Sequence, residues 1–252
     1  MMIPQVSIFG ITSIPEVQQG ADLAELINDS ANAQGTPIKS GDILVVTQKI
    51  VSKSEGQIIN LSDVIPSSQA IQFARDNEKD PRHVEIVLQQ SKKIIRMKNG
   101  VIISETYHGL CCANAGVDAS NLPREDTVCL LPKYPNNSAK NLRINIHKKF
   151  GAKVAVIISD SFGRPWREGI VNVAIGASGI EALKNLKGTI DGNGHLLKST
   201  TVAIADELAA TSGLVIFKDS KVPVAIIRGY KYVNSPQNAT NLIRPQEKDL
   251  FK

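Results

Sequence analysis

The stretch KVAVIISDSFGRPWREG, residues 153–169, joins an apolar run to a cluster of polar and charged side chains. Residues 154–158 are all apolar and mostly β-branched, which is typical of a strand buried on both faces of a sheet. The next three residues, Ser-Asp-Ser at 159–161, follow directly, and Gly163 and Pro165 come soon after. We therefore expect a buried strand that delivers this polar triplet into a turn.

The polar triplet carries the carboxylate of Asp160, and the guanidinium groups of Arg164 and Arg167 follow it. Hard cations take oxygen ligands and arginine pairs with phosphate oxygens, so this combination suits a bound metal ion and a phosphate. The alternative is a strand, a loop and surface arginines that pair with Asp160. These residues alone leave both interpretations open.

The composition is that of a folded protein, because 42% of the 252 residues are hydrophobic and 21% are charged. We expect a single domain over residues 1–252, built as one unit or as two interlocked subdomains. Aromatic residues make up only 4%, which argues against base-stacking surfaces and hence against a nucleic-acid partner. The net charge of +5 favours anionic substrates such as nucleotides.

Targeting signals and disulfides are not indicated. No segment approaches the ~20 apolar residues that cross a bilayer, and the N-terminus lacks a charged region followed by an apolar core. The three cysteines, Cys111, Cys112 and Cys129, are odd in number and two are adjacent, which is not typical of a disulfide framework. We expect reduced thiols, a cytoplasmic location and no membrane partner.

Apolar periodicity and turn signals predict an α+β fold, with mixed or antiparallel sheets and interspersed helices. The strongest hairpin signal is Asn99-Gly100, between two strand-like runs. The predicted strands cover residues 6–9, 43–46, 93–97, 101–105, 154–158, 170–175, 200–204 and 222–227. The predicted helices cover residues 21–33, 68–76, 81–88, 138–150, 180–186 and 206–215. Residues 237–252 form a polar tail.

A second stretch, NAGVDASN at residues 114–121, is rich in small residues that let a backbone come close to a ligand. Its carboxylate, Asp118, could share a cation with Asp160, because Mg²⁺ in nucleotide enzymes is held by one or two carboxylates plus phosphate oxygens. The alternative is an Asx-turn loop, in which Asn and Asp bond their own backbone.

Lys49 and Lys53 come just after the predicted strand at residues 43–46. Lys53 suits a point charge for phosphate, although two solvated lysines are the alternative. The sequence Gly-x-x-x-x-Gly-Lys-Ser/Thr does not occur, which excludes a P-loop protein.

Taken together, these stretches resemble one family, the coenzyme F420:L-glutamate ligases, also called F420-0:γ-glutamyl ligases. The resemblance runs from Val6 to about Tyr230. The stretches that carry it, in the family's order, are residues 41–46, 50–56, 114–121, 157–164, 174–179, 205–210 and 223–229.

The resemblance implies an unusual α+β fold of two intertwined subdomains, assembled as a homodimer. It implies that L-glutamate is joined by an amide bond to coenzyme F420-0, with GTP as co-substrate, Mg²⁺ or Mn²⁺ as the metal and K⁺ as a further ion. Asp118 and Asp160 match the metal carboxylates, and Ser161 matches a hydroxyl ligand beside them. The positions that match nucleotide contacts are Ile14, Pro15, Glu16, Val17, Gln48, Lys49, Lys53 and Asn121.

The chemistry that follows is phosphorylation of a carboxylate by GTP and attack of the amine of L-glutamate on the acyl phosphate. We assign Asp160 to catalysis, and from their chemistry alone we assign Arg164 and Arg167 to holding anionic groups in line. Two alternatives stay open at this point. One is a paralogue that ligates an amino acid to another carboxylated cofactor, and the other is a non-catalytic nucleotide-binding protein.

One stretch departs from the family's pattern. The family's nucleotide loop contains glycine and brings an acid or amide to a second metal, whereas residues 214–220 contain no glycine, and Lys218 takes the ligand's position. A charged lysine cannot ligate a cation. Either the second metal is missing or Asp219 supplies its ligand, and Lys218 could instead contact the nucleotide by neutralising phosphate charge.

Overall fold

The computed structural model describes residues 3–120, 122, 124–217 and 220–250, in which helices are interspersed among groups of strands. The strands are β1 Ser7–Ile11, β2 Ile43–Thr47, β3 Ile58–Asn60, β4 Ser91–Lys98, β5 Val101–Thr106, β6 Cys111–Ala113, β7 Thr127–Cys129, β8 Ala155–Arg164, β9 Arg167–Ser178, β10 Lys184–Asn185, β11 Thr201–Val202 and β12 Val224–Arg228. The helices are α1 Leu23–Ala33, α2 Gln48–Ser54, α3 Ser68–Asn77, α4 Pro81–Gln90, α5 Pro135–Phe150 and α6 Ile204–Ser212.

The main sheet has the strand order β1-β12-β2-β8-β9. Strands β2 and β8 run parallel, while the other neighbours in this sheet are antiparallel. The parallel register pairs Thr47 with Ser159, so the carboxyl ends of β2 and β8 meet at the same edge of the sheet. The predicted α+β class with mixed and antiparallel sheets is confirmed.

The main sheet is buried on both faces, which explains its unbroken apolar runs. In β2, the side chains of Leu44 and Val46 enter one core, which also takes in residues of α1 and α5. Ile43 and Val45 point the other way, into a core shared with α6. Each fully buried Ile, Leu or Val stabilises the fold by roughly 1.5–3 kcal/mol.

A third core is formed by residues 61–130 of the chain, where the three-stranded sheet β4-β5-β6 packs with α3 and α4. Its centre is formed by Ala70, Val87, Ile102 and Val128, each buried almost completely. The predicted hairpin at Asn99-Gly100 joins β4 to β5. Whether this part is a separate subdomain interlocked with the rest stays a prediction.

Two predicted helix starts are confirmed by their caps. The hydroxyl of Ser67 accepts a hydrogen bond from the backbone N–H of Ala70 at the start of α3. The carboxylate of Asp80 accepts one from the N–H of Arg82, with Pro81 in the first turn of α4. None of the described helices has the length and apolar character needed to cross a membrane.

The predicted turn near Gly163 and Pro165 is found at Pro165 and Trp166, but the strand before it is longer than predicted, because β8 continues through residues 159–161 to Arg164. Pairing with β9 along the whole length of β8 keeps residues 159–163 extended. Helix α5 starts at Pro135 rather than at Ser138, because proline fits the first turn of a helix. Helix α2 was not predicted.

The predicted helix at 180–186 is also wrong. The backbone N–H of Glu181 donates to the carbonyl of Val233, and that of Leu183 donates to the Gln237 side chain. These bonds to the C-terminal segment replace helical ones, and the chain forms the short β10–β11 pair instead. The polar tail contributes to the fold as well, since Ala239 is buried in the core beside α6.

We predict that Gly176→Ala destabilises the protein by about 1–3 kcal/mol, because a β-carbon there overpacks the structure. It would clash with the backbone carbonyl oxygen of Pro135, at the start of α5. Gly192→Ala is the matched control, because a β-carbon there meets nothing within 4 Å. Urea unfolding of both variants measures the difference, and equal stability would contradict the close packing of α5 on β9.

Candidate active site

A cleft of about 780 Å³ opens at the carboxyl ends of β2 and β8. Crevices at such strand ends are common ligand sites in sheets with parallel strands. The cleft brings together most of the residues singled out in the sequence. Those that line it are Ile14, Pro15, Glu16, Val17, Gln48, Lys49, Lys53, Asp118, Asp160 and Ser161.

An irregularity in the β8–β9 pairing sits at the point where β8 enters the cleft. Ile158 pairs with Gly176 and Ser159 pairs with Ala174, so Ile175 is an extra residue in β9. Bulges of this kind redirect side chains and are frequent beside active sites. Three consecutive residues of β8, Ser159 to Ser161, line the cleft beyond this bulge.

Asp118 is held by backbone bonds to β7. Its N–H donates to the carbonyl of Cys129 over 3.0 Å, and the N–H of Cys129 donates back over 2.8 Å. Its Oδ1 accepts a 2.7 Å hydrogen bond from the N–H of Ser120. The Asx-turn interpretation is therefore confirmed, and the same carboxylate lines the cleft.

Lys49 contacts the same carboxylate. Its Nζ lies 2.8 Å from Oδ2 of Asp118 and donates to the carbonyl oxygen of Ser120 over 2.7 Å. Burial raises the pKa of Asp118, but hydrogen bonds from Lys49 and Ser120 outweigh it and lower that pKa below its ordinary value. Asp118 is thus kept ionised at neutral pH.

Lys53 lies on α2 and is buried, with 8% of its surface exposed. Its ammonium group donates to Oε1 of Glu16, which comes from the loop before α1. This ion pair connects the loop to α2, and both residues line the cleft. A buried cation at the cleft wall can act on anionic groups more strongly than a solvated one, since water screens it less.

Sequence reasoning missed Asn172 and Lys221, and it gave no separate role to Ser159. Asn172 lies opposite Ser161 in the β8–β9 register, and its Oδ1 accepts a 2.8 Å hydrogen bond from the Ser161 hydroxyl. Ser159 is buried, and its hydroxyl has no hydrogen-bond partner among the described residues. Lys221 adds a cation beside Phe217. Only strand pairing could have identified Asn172.

Arg164 and Arg167 are not brought to the cleft. They lie opposite each other in the strand register at the far end of the β8–β9 hairpin. Neither is among the described residues that line the cleft. Nη2 of Arg164 donates to the carbonyl of Glu168 over 2.6 Å. Their assigned roles stay predictions. Asn121 and Lys218, together with Asp219, lie outside the described residues.

The donor set fits a divalent cation that is bound together with phosphate. Asp118, Asp160 and Ser161 present two carboxylates and a hydroxyl to one cleft. Within the described ranges, no three or more His, Cys, Asp or Glu side chains are grouped for a metal. Mg²⁺ and similar hard cations are bound by one or two carboxylates plus substrate phosphate oxygens, so a site of this size is sufficient.

All the described residues that line the cleft lie within the part of the chain that matches a known protein family. The family model described as F420-0:Gamma-glutamyl ligase matches residues 11–229. The chain belongs to this family.

Relatives named "Coenzyme F420:L-glutamate ligase" match almost the whole chain. The protein of Methanothermobacter thermautotrophicus is 42% identical over 250 residues, which is 98% of this chain and 99% of the relative. That of Methanocaldococcus jannaschii is 45% identical, covering 90% of this chain and 91% of its own. That of Methanopyrus kandleri is 40% identical and covers 99% of both chains.

Two thiols of this family member lie beside the site. Burial, with a smaller contribution from the negative charge of Asp160, raises the pKa of Cys112 to about 12. Burial also raises the pKa of Cys129 to about 11, although Ser52 and Lys49 act in the opposite direction. Cys111 is exposed. The buried thiols are protonated and unreactive at neutral pH.

We predict that iodoacetamide modifies Cys111 selectively in the native protein at about pH 8, because thiolate and access are both needed for alkylation. Mass spectrometry of the intact protein should show one fast modification, and all three cysteines should react in denaturant. In Cys111→Ser the fast reaction should be lost. Rapid modification of Cys112 in the native protein would contradict its burial.

Proposed function

We propose that this protein is a GTP-dependent ligase that forms an amide bond between L-glutamate and coenzyme F420-0, in the biosynthesis of coenzyme F420. The observation that carries the proposal is the convergence of Asp118, Asp160 and Ser161 with Lys49 and Lys53 on one cleft. Membership in the F420-0:gamma-glutamyl ligase family supports the substrate assignment.

The reaction needs activation because the oxygen of a free carboxylate is too basic to leave. In the first step an oxygen of the coenzyme's terminal carboxylate attacks the γ-phosphorus of GTP, and the bond to the β-phosphate oxygen breaks. The products are an acyl phosphate and GDP. In the second step the amine of L-glutamate attacks the acyl carbon, inorganic phosphate leaves, and the amine releases a proton as the amide forms.

The cleft residues divide into two groups in this proposal. Asp118, Asp160 and Ser161 would hold Mg²⁺ or Mn²⁺, and the bound ion would neutralise charge on phosphate oxygens. Lys49 and Lys53 orient anionic groups at the wall of the cleft. The homodimer and the K⁺ ion implied by the resemblance, and the cytoplasmic location expected from the cysteines, stay predictions.

A non-catalytic nucleotide-binding protein is a weaker candidate. It would be favoured if the loop that carries Phe217 filled the cleft. Ile216 and Phe217 instead lie along the wall of a cleft of about 780 Å³, and the Phe217 side chain is largely exposed. This arrangement leaves room for substrates and favours the ligase.

Asp160→Asn should abolish glutamyl transfer, because an amide cannot supply the negative charge that holds a divalent cation beside phosphate. The assay is incubation with coenzyme F420-0, GTP, Mn²⁺ and L-glutamate, with the product identified by mass. The circular dichroism spectrum and the melting temperature of the variant should match those of the wild type, which shows that the fold is intact.

Asp63→Asn is the matched control, because Asp63 is an exposed carboxylate outside the cleft. It should retain wild-type turnover. Retained turnover in Asp160→Asn would refute the role of Asp160, and a wild-type protein that forms no glutamyl product under these conditions would refute the proposed function.

A further inference from the structure

A second pocket of about 380 Å³, which we call the side pocket, adjoins the cleft. It shares Glu16, Val17 and Lys53 with the cleft, so the Glu16–Lys53 ion pair stands at the border of the two. Its volume falls within the ~300–1,000 Å³ range of small-molecule sites. No substrate of the proposed reaction has been placed in it so far.

Arg124 supplies a cation to the side pocket. Its carbonyl accepts a 2.7 Å hydrogen bond from the hydroxyl of Thr127, which fixes the backbone at this point. Among the residues that the structure describes, its guanidinium has no hydrogen bond or ion pair. A guanidinium presents a planar fork of donors that matches a carboxylate.

The formal charges of the side pocket are those of Arg124, Lys53 and Glu16, two positive and one negative. L-glutamate carries two carboxylates and one ammonium group, so Arg124 and Glu16 can each pair with one of its charged groups. Neutral amide groups that can bond the remaining polar atoms come from Gln18, Gln19 and Asn60. A triphosphate fits this pocket less well, because the side pocket offers one carboxylate and lacks the paired carboxylates of the cleft.

We propose that the side pocket binds the amino-acid substrate, with Arg124 on one carboxylate and Glu16 on the ammonium group. The inference rests on the proposed function, because it names where that reaction's second substrate sits. It assigns to Glu16 the amine rather than the nucleotide alone.

Glu16 lines both the side pocket and the cleft, so a group bound to it lies close to both. One oxygen of its carboxylate accepts from Lys53, and its side chain is 54% exposed, so the other oxygen is accessible to an ammonium group. An amine held there lies between the side pocket and the cleft in which the acyl phosphate forms. Holding two reactants next to each other in this way lowers the barrier to their reaction.

The test compares Arg124→Gln with Arg124→Lys and with the control Arg96→Gln, an exposed arginine of β4. Removing a charge-assisted hydrogen bond should raise the KM for L-glutamate by roughly 10- to 100-fold. The KM values for GTP and for the coenzyme should stay unchanged, Arg124→Lys should recover part of the loss, and Arg96→Gln should behave as wild type. An unchanged KM for L-glutamate, or an equal rise in all three KM values, would overturn the assignment.

Calorimetric titration with L-glutamate separates this inference from the proposed function, since it needs no turnover. Binding by wild type and Arg96→Gln that is weakened at least about tenfold in Arg124→Gln supports the side pocket, even if no glutamyl product forms. Equal binding by all the variants, or no binding by the wild type, overturns it.

Discussion

The parallel pairing of β2 with β8 is the constraint on which the site depends. It places Thr47 beside Ser159, so the residues that follow each strand emerge at the same edge of the sheet. From β2 the chain enters α2, which carries Lys49 and Lys53, and from β8 it continues through Asp160 and Ser161. Because both strands are buried on both faces, neither can shift its register without moving apolar side chains out of the two cores.

The second constraint is electrostatic and links the part of the chain that forms the third core to α2. Asp118 belongs to the segment that packs with the third core, whereas Lys49 belongs to α2. Their contact links the two parts across the cleft. Lys49 balances the charge of Asp118, and its hydrogen bond together with those from Ser120 outweighs the desolvation that opposes ionisation, so the carboxylate remains ionised.

Much of the fold could be predicted from the sequence, because continuous apolar runs and helix caps are local signals. The resemblance to the family identified cleft residues that are distant in the chain, such as Asp118 and Asp160. Long-range pairing was not accessible. The extension of β8 to Arg164 depends on β9, and the helix expected after Gly179 gives way to hydrogen bonds with the C-terminal segment.

The same limit explains the residues missed in the site. Asn172 reaches the cleft only because it lies opposite Ser161, and no local pattern distinguishes it from a polar residue on the solvent side of a strand. Arg164 and Arg167 show the converse. Their proximity to Asp160 in sequence suggested proximity in space, but an extended strand carries the chain ~3.3 Å per residue away from its starting point.

The β8–β9 hairpin, which holds those arginines away from the cleft, turns at Trp166. This residue is the chain's single tryptophan and is 84% exposed. Indole fluorescence of this protein therefore originates from one position. Strand β8 connects that position without interruption to Asp160. The emission spectrum therefore reports on the surroundings of the outer end of the β8–β9 hairpin, whose inner end forms part of the cleft wall.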